Sequence, residues 1–166
     1  MIEIKSKSPE QTEELGAHVG KLVKNGDCVL LYGDIGAGKT VFVAGLAREI
    51  GIPERPASPT FTLCNTYTVC NSHEECPQKM HHFDLYRLED AEELFETGLL
   101  ELIGEESEGI TLIEWPEIAE SFLPSQFISV TIQKTAEFQD ERDIAVECVG
   151  DRYAMVEDSL KKLKLY

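Results

Sequence analysis

The first part of the chain changes from an alternating pattern of hydrophobic and polar residues to a helical one. Ile2 to Lys5 alternates with a period of two, which predicts a short strand. Ser8 to Gln11 then has the residues of a helix start, with an N-cap serine, a proline at the first helical position and a capping-box glutamine. Hydrophobic residues recur on one helical face from Leu15 to Val23, and Asn25-Gly26 ends the pattern. The pattern therefore predicts a strand followed by an amphipathic helix.

A continuous apolar run, Cys28 to Tyr32, follows this helix. Its length and composition are typical of a strand that is covered on both faces, as in parallel sheets. It ends at Gly33, and after a glycine-rich segment a second helical pattern runs from Phe42 to Ile50 and is ended by Gly51. The order of elements here is strand, loop and helix.

Two further strands are predicted on either side of a polar loop. Pro56 and Pro59 enforce extended backbone, and Phe61 to Val69 and Met80 to Leu85 then have the composition of strands. The loop between them contains Asn71-Ser72-His73. A connection this short favours an antiparallel hairpin over a parallel crossover.

The second half of the chain continues with short helices and strands. Glu89 to Glu108 contains nine carboxylates and no Lys or Arg, with hydrophobic residues between them, which predicts short, broken helices with a solvated acidic face. The remaining predicted elements are a buried strand at Ile110 to Glu114, a helix from Ile118 to Phe122, strands at Phe127 to Gln133 and Ile144 to Val149, and a closing helix from Tyr153 to Leu163.

This mixture of strands and helices predicts an α/β fold. We expect a single domain over residues 1–166, with a mixed central β-sheet in which parallel core strands are flanked by helices and accompanied by an antiparallel hairpin. A length of 166 residues fits one domain of ordinary size, and the sequence contains no internal repeat or low-complexity linker.

Charge and composition exclude several classes of protein. The chain has 15 Lys and Arg against 31 Asp and Glu, a net charge of -16, which argues against a stand-alone nucleic-acid binder because such proteins neutralise phosphates with cations. Its hydrophobic content of 42% is too high for a disordered acidic tail, and its apolar runs are far too short to span a bilayer. The first 24 residues lack the pattern of a secretory leader. We therefore expect a cytoplasmic protein without membrane contact, whose five cysteines are free thiols.

The glycine-rich segment carries the most specific chemical signal. Gly33 to Thr40 matches the phosphate-binding loop G-x-x-x-x-G-K-[ST] without a mismatch, between a predicted strand and a predicted helix. Glycines allow successive backbone N–H groups to turn towards a phosphate, and the helix N-terminus adds its positive dipole end. Lys39 would place a charge on the outer phosphates, and Thr40 would offer a hydroxyl to Mg²⁺. Because these donors must overcome the field of a chain with a net charge of -16, we expect tight triphosphate binding to require Mg²⁺.

Carboxylates at the ends of predicted strands are a second group of candidates. Asp84 follows His82-Phe83, and Glu114 follows Leu112-Ile113. Open α/β sheets bind ligands at the carboxyl ends of their strands, so either acid could hold the metal or orient water. The residues leave open which acid has which role, and each alone could be an ordinary solvated acid among 31.

Four blocks of residues occur in an order and spacing that resemble one family. The blocks are Gly33 to Thr40, Ser58-Pro59-Thr60-Phe61, His82-Phe83-Asp84-Leu85-Tyr86-Arg87-Leu88 and Ile113-Glu114-Trp115-Pro116-Glu117. Together they resemble TsaE, formerly YjeE, the bacterial ATPase family of the tRNA threonylcarbamoyladenosine-forming machinery. The resemblance runs from about Thr12 to Arg142, and it implies the fold of a P-loop NTPase.

The resemblance also implies roles for individual residues. Asp84 would orient or deprotonate the attacking water, and with Lys39 it would form the catalytic pair. Thr40 and Glu114 would be the protein ligands of Mg²⁺. Trp115 would pack beside the site. The nucleotide would be bound by Ile35, Gly36, Ala37, Gly38, Lys39 and Thr40 at its phosphates and by Arg142 and Thr12 near its base, with Ser58 and Thr60 in a switch-like segment that senses the γ-phosphate.

The function implied by the resemblance is a Mg²⁺-dependent ATPase, weak without its partners. The partners would be TsaD-like and TsaB-like proteins, of which the TsaD-like one would install threonylcarbamoyl on the adenosine next to the anticodon of tRNA. ATP hydrolysis by this chain would reset the complex between rounds. Contact with tRNA would be only indirect, through the complex, because the net charge of -16 would repel tRNA phosphates.

Two other classes of protein also use a phosphate-binding loop. A small-molecule kinase would transfer the γ-phosphoryl group to an acceptor, but such kinases bring several arginines over the phosphate in a lid, and the five arginines of this chain are scattered. A nucleotide-gated binding module would use bound ATP to set its affinity for a partner, with negligible turnover.

Two features of the sequence have alternative interpretations. The predicted hairpin could bind a metal ion, because it contains several residues of metal-binding type: Cys64, Cys70, His73, Cys76 and His81. It lacks, however, the closely spaced pairs of ligands that are typical of a zinc site. The alternative to a metal site is that Cys64 or Cys70 is simply a buried residue. Their six-residue spacing places both on the same face of a strand. The acidic stretch, residues 89–108, could be only a solvated face, or it could be a docking surface for the partners.

Overall fold

A mixed β-sheet forms the centre of the fold. The structure is a computed structural model that describes residues 1–70, 79–104 and 106–163. Within these residues the strands are β1 (Ile2–Ser6), β2 (Cys28–Tyr32), β3 (Cys64–Thr68), β4 (Lys79–Asp84), β5 (Gly109–Glu114), β6 (Phe127–Lys134) and β7 (Arg142–Val149). They lie in the order β1-β7-β6-β2-β5-β4-β3. Strands β4, β5, β2 and β6 are parallel, β7 is antiparallel to β6 and to β1, and β3 is antiparallel to β4.

Helices cover both faces of this sheet. In the described ranges they are α1 (Pro9–Gly20), α2 (Lys39–Ile50), α3 (Leu94–Thr97), α4 (Leu99–Leu102) and α5 (Ala154–Lys161), with 3₁₀ helices at Ala91–Glu93, Pro116–Phe122 and Asp151–Tyr153. The longer helices α1, α2 and α5 share one hydrophobic core cluster with residues of the sheet. The short helices and the 3₁₀ helix Pro116–Phe122 contribute to a second cluster with residues of β2, β4 and β5. None of the described helices is both long enough and apolar enough to cross a bilayer.

Two glycines let α1 and α2 approach each other until their backbones touch. A Cβ atom at Gly16 would lie 2.0 Å from the carbonyl oxygen of Phe42, and one at Gly45 would lie 1.9 Å from that of Glu13. Neither position has room for a side chain. The close contact fixes α2, whose first turn carries Lys39 and Thr40, against the rest of the helical layer.

The structure confirms the predicted fold class and corrects the bounds of several elements. The strand predicted from Phe61 starts only at Cys64, because a turn precedes it in which the N–H of Leu63 donates to Pro59 O at 2.7 Å and Leu63 has φ 62°. The helix predicted at Ile118 to Phe122 is a 3₁₀ helix, which starts at Pro116. The closing helix is likewise preceded by a 3₁₀ turn.

Candidate nucleotide-binding site

The glycine-rich loop connects the end of β2 to the start of α2. Gly36 and Gly38 have φ values of 74° and 117°, which residues with a side chain rarely adopt, and a Cβ at Gly33 would lie 2.3 Å from Ile132 O. Among the described residues, no side chain caps the N-terminus of α2, and its first turn contains no acidic residue. The first N–H groups of α2 and its positive dipole end are therefore available to an anion held by the loop.

Lys39 lies at the inner end of this loop. Its ammonium donates to the carbonyl of Gly33 at 2.6 Å and lies 4.2 Å from the centroid of the Trp115 ring. Burial lowers the pKa of Lys39, and the carboxylates of Glu114 and Asp84 act in the opposite direction. Because the ammonium is partly removed from water, its attraction for an anion in the site is stronger than that of a solvated lysine.

Trp115 reaches the loop through an unusual backbone conformation. Its φ and ψ are 57° and 55°, in the left-handed region, which is strained for a bulky residue, and residues with such strain cluster at functional sites. The indole ring also contacts the ring of Tyr86, with centroids 4.9 Å apart. The structure therefore places the one tryptophan of the sequence directly against the loop lysine, beside the site.

Asp84 and Glu114 meet at the carboxyl edge of the parallel strands. They are paired in the register of β4 and β5, so their side chains leave the sheet on the same side, and they are only 2% and 3% exposed. Oδ2 of Asp84 accepts from the hydroxyls of Ser58 at 2.7 Å and Thr60 at 2.5 Å, and Oδ1 accepts from the N–H of Tyr86 at 3.1 Å. The segment that the sequence analysis interpreted as a switch is thus tied to the acid predicted to orient water.

A histidine that the sequence analysis did not select contacts the second acid. Nε2 of His82 lies 2.9 Å from Oε1 of Glu114, and both side chains are buried. Since an ionised carboxylate only accepts hydrogen bonds, Nε2 carries the proton and donates it. The sequence did contain a signal for this residue. His82 is two residues before Asp84, and residues two apart on a strand share a face, so His82 could have been placed on the face of the predicted acid.

One cavity of about 480 Å³ brings most of the predicted site residues together. The predicted residues that line it are Ile35, Gly36, Ala37, Gly38, Lys39, Thr40, Ser58, Thr60, Asp84, Glu114 and Arg142, and Tyr86 and Trp115 complete part of its wall. Thr12 does not line it. Its side chain is buried, with the hydroxyl 2.8 Å from that of Ser6, behind the loop at Gly38.

Two cations from the neighbouring strands hold the outer side of the loop. Nε of Arg142 donates to Ala37 O at 2.6 Å, and Nζ of Lys134 donates to Ile35 O at 3.0 Å. Arg142 therefore supports the main chain of the loop from the start of β7. Lys134 was missed by the sequence analysis, although it ends β6 at the same edge of the sheet as the two acids.

The hairpin with cysteines shows no metal cluster in the part that the structure describes. There, no three His, Cys, Asp or Glu side chains are placed to hold a metal ion. The prediction that Cys64 and Cys70 lie on one face of a strand is wrong, because β3 ends at Thr68. His81 instead contacts Thr66, with Nδ1 3.0 Å from its hydroxyl. Residues 71–78, with His73 and Cys76, lie outside the described ranges.

The acidic stretch, residues 89–108, is solvated as predicted. Every carboxylate that the structure describes in it is exposed, and Glu105 lies outside the described residues. Asp90 caps the 3₁₀ helix Ala91–Glu93, with its side chain accepting from the N–H of Glu92 at 2.9 Å. The described carboxylates of this stretch therefore concentrate exposed negative charge in and after the short helices.

Comparison with known proteins identifies a family. The family model for the threonylcarbamoyl adenosine biosynthesis protein TsaE matches residues 6–144, a range that contains the loop, both acids and Arg142. The tRNA threonylcarbamoyladenosine biosynthesis protein TsaE of Bacillus subtilis (strain 168) is 34% identical over 155 residues, which cover 93% of this chain and 90% of that protein. The protein with the same name from Treponema pallidum (strain Nichols) is 36% identical over 140 residues, 84% of this chain and 97% of that protein.

A solved structure agrees with this result. The crystal structure of Bacillus subtilis YdiB superposes on this chain with a TM-score of 0.71 and 28% sequence identity. The superposition covers 97% of this chain and 94% of that one. The similarity thus extends over the whole sheet as well as the loop.

Proposed function

This chain belongs to the TsaE family of threonylcarbamoyl adenosine biosynthesis proteins, and from that premise we propose that it is a Mg²⁺-dependent ATPase that serves tRNA modification. The observation that carries the proposal is a single cavity lined by a phosphate-binding loop, the loop lysine and two buried carboxylates. If the loop formed only a tight turn, nothing would explain the two buried carboxylates, Asp84 and Glu114, at the neighbouring strand ends.

The loop supplies the donors for the phosphates. The N–H groups around Gly36 and Gly38 and at the start of α2 would bind phosphate oxygens, and they are arranged in advance by the glycine conformations. Lys39 would exchange its bond to the carbonyl of Gly33 for a bond to the outer phosphates. Arg142 would act on the nucleotide largely through the loop, since it holds Ala37 O.

The oxygen atoms at the inner end of the cavity suit Mg²⁺. Thr40 supplies a hydroxyl and Glu114 a carboxylate, and both line the cavity. Mg²⁺ prefers such hard oxygen ligands, together with water and substrate phosphates, so the residues present fit this ion. Thr40 and Glu114 would hold it, and the bound ion would neutralise charge that develops on the β- and γ-phosphates.

Asp84 is suited to orient the attacking water. A carboxylate offers about four acceptor positions, and three of them are used by the hydroxyls of Ser58 and Thr60 and the N–H of Tyr86. The remaining position, on Oδ1, would accept from water and fix its direction towards the γ-phosphate. Ser58 and Thr60 would couple the switch segment to this water, because they bond to the same carboxylate.

The finer role in the tRNA pathway is also part of the proposal. Transfer of the threonylcarbamoyl group would belong to a TsaD-like partner, working with a TsaB-like protein, and ATP hydrolysis by this chain would reset their complex between rounds. The chain would meet tRNA only through those partners, because its own net charge of -16 repels phosphates.

Nucleotide binding and phosphate release test the proposal together. Calorimetry with Mg²⁺ and a non-hydrolysable ATP analogue is expected to show one site per chain, and steady-state phosphate release is expected to rise when the TsaD-like and TsaB-like partners are added. Lys39→Ala should weaken binding, whereas Lys7→Ala, an exposed lysine, is the control and should not.

The other outcomes separate the alternatives. A phosphorylated acceptor in place of free phosphate would indicate a small-molecule kinase. Bound ATP without phosphate release, with or without partners, would indicate a nucleotide-gated binding module. The proposal is abandoned if the intact protein takes up no adenine nucleotide, alone or in the assembly.

A further inference from the structure

His82 has no role in the proposed function, but it lies close to the two acids of the site. It lies two residues before Asp84 on β4, and in the register of β4 and β5 it stands one pleat inside the Asp84 and Glu114 pair. Its side chain is completely buried, on the same face of the sheet as the two acids. It is therefore in the layer directly behind the cavity.

Only one of the two imidazole nitrogens of His82 has a hydrogen-bond partner among the described residues. Nε2 donates to Oε1 of Glu114 at 2.9 Å, whereas Nδ1 is buried and has no hydrogen-bond partner among the described residues. A buried polar atom without a partner costs free energy, so an apolar residue would fill this position at lower cost if packing were its only role. The bond to Glu114 is the interaction that distinguishes histidine from such a residue.

A competing partner for Glu114 lies nearby. Burial lowers the pKa of Lys39, and the carboxylate of Glu114 is the charged group that most opposes this effect; the ammonium itself donates to the carbonyls of Gly33 and Asp34. If Glu114 turned towards Lys39 and paired with it, the carboxylate would neutralise the lysine charge that phosphates need. The carboxylate oxygens would then also be unavailable to a cation. The hydrogen bond from Nε2 of His82 to Oε1 of Glu114 opposes that rotation.

We propose that His82 is a positioning residue, which holds Oε1 of Glu114 and so keeps this carboxylate oriented for the Mg²⁺ ion that Glu114 and Thr40 would hold. The inference rests on the proposed Mg²⁺–nucleotide function of the same cavity. It concerns a residue that does not itself line the cavity. Removing the hydrogen-bonded partner of a metal ligand generally weakens metal affinity by about 10- to 100-fold, so the effect should be measurable.

The chain offers a closely matched control in the preceding residue. His81 is on the same strand, is also buried and also makes one side-chain hydrogen bond, to Thr66, but it points to the opposite face of the sheet. His82→Leu removes the donor. His82→Asn keeps a polar amide that is too short to reach Glu114, and His82→Gln places an amide donor near the position of Nε2. His81→Asn is the control.

The experiment measures binding of a non-hydrolysable ATP analogue by calorimetry, first with a chelator and then over a Mg²⁺ titration. His82→Leu and His82→Asn are expected to bind the metal-free nucleotide as wild type does and to need about 10- to 100-fold more Mg²⁺ for the tighter complex. His82→Gln and His81→Asn should follow the wild-type titration. If His82→Leu does not fold, His82→Asn and His82→Gln provide the same comparison.

Three results would overturn the inference. In the first, the folded His82→Leu or His82→Asn protein has an unshifted Mg²⁺ titration. In the second, metal-free and metal-bound affinities fall equally, which would show that His82 only supports the fold of the site. In the third, the wild-type protein binds no nucleotide, and then the proposed function fails together with the inference. The first two results leave the proposed function intact.

Discussion

The carboxylate of Asp84 illustrates how single residues set the chemistry of this site. Its three donors come from Ser58, Thr60 and Tyr86, which belong to two separate segments of the chain. They hold the side chain in one orientation and leave one acceptor position for water. On the proposed function, nucleotide binding would need none of these bonds, because it would depend on the loop. Binding and hydrolysis should therefore respond separately to a change at this residue.

Asp84→Asn is expected to leave the affinity for Mg²⁺-ATP near that of wild type and to slow hydrolysis by about 100-fold or more, because the amide loses the charge that orients and accepts from water. Phosphate release under saturating ATP, together with calorimetric binding, checks this. Asp143→Asn, at an exposed position of β7, is the control. An unaltered hydrolysis rate in Asp84→Asn would remove the residue from the reaction.

Glu114→Ala is expected to raise the Mg²⁺ concentration needed for half-maximal nucleotide binding by about 10-fold or more, since one of the two proposed protein oxygen ligands is lost. The measurement is a Mg²⁺ titration at fixed nucleotide. Glu117→Ala removes a nearby exposed carboxylate of equal charge and serves as the control. If the two variants shift the titration equally, the effect is one of general charge and Glu114 is not a ligand.

At the scale of elements, the contact between α1 and α2 positions the phosphate-binding end of α2. The backbones approach so closely that Gly16 and Gly45 each face a carbonyl oxygen at a distance that excludes a side chain. The same pair of helices carries the ion pair of Arg48 with Glu13 on its exposed side. A loop that must present N–H groups to a phosphate within a few tenths of an ångström needs this rigid support.

Gly45→Ala tests the support directly. Alanine favours a helix over glycine by about 1 kcal/mol, but its Cβ would lie 1.9 Å from Glu13 O, and overpacking costs up to about 3 kcal/mol, so we expect a net loss of about 2 kcal/mol of unfolding free energy. Chemical denaturation measures this loss. Glu14→Ala, at an exposed position of α1, is the control and should change stability by less than about 0.5 kcal/mol. A Gly45→Ala protein as stable as wild type would show that the helices can separate at little cost.

At the scale of the whole molecule, positive charge at the loop is separate from the negative charge of the acidic stretch. The cations Lys39, Lys134 and Arg142 are concentrated at the loop, whereas the acidic stretch, residues 89–108, is exposed elsewhere on the surface. Local cations can therefore bind phosphates on a protein whose net charge is -16. The acidic stretch does not line the cavity, so on the proposed function it would be available to a basic partner surface.

Docking to the TsaD-like and TsaB-like partners is expected to depend on salt if the acidic stretch takes part. Affinity should fall clearly between about 0.05 M and about 0.5 M salt, because screening shortens the range of the attraction. Replacing Glu92 and Glu96 by Lys should weaken binding further at low salt. Lysine replacements at Glu14 and Asp158, exposed on α1 and α5, are the charge-matched control. Equal affinity at both salt concentrations would exclude the stretch from docking.

The sequence by itself determined the parts of the site that depend on neighbouring residues. The loop from Gly33 to Thr40 could be predicted because its glycines and the flanking strand and helix are local properties of consecutive residues. Asp84 and Glu114 could be selected because both end apolar strands, where open sheets place ligands. The parallel core and the hairpin followed from run lengths and connections in the same way.

The tertiary structure decided which of these parts meet. His82 and Glu114 are 32 residues apart in the chain, and Lys134 and Ile35 are 99 apart. Periodicity shows which face of a strand a residue occupies, but strand order decides which strand lies beside it, and that order depends on packing of the whole core. The contacts of His82 with Glu114, of Lys134 with Ile35 and of Trp115 with Lys39 could be read only from the assembled sheet, because each joins distant segments of the chain.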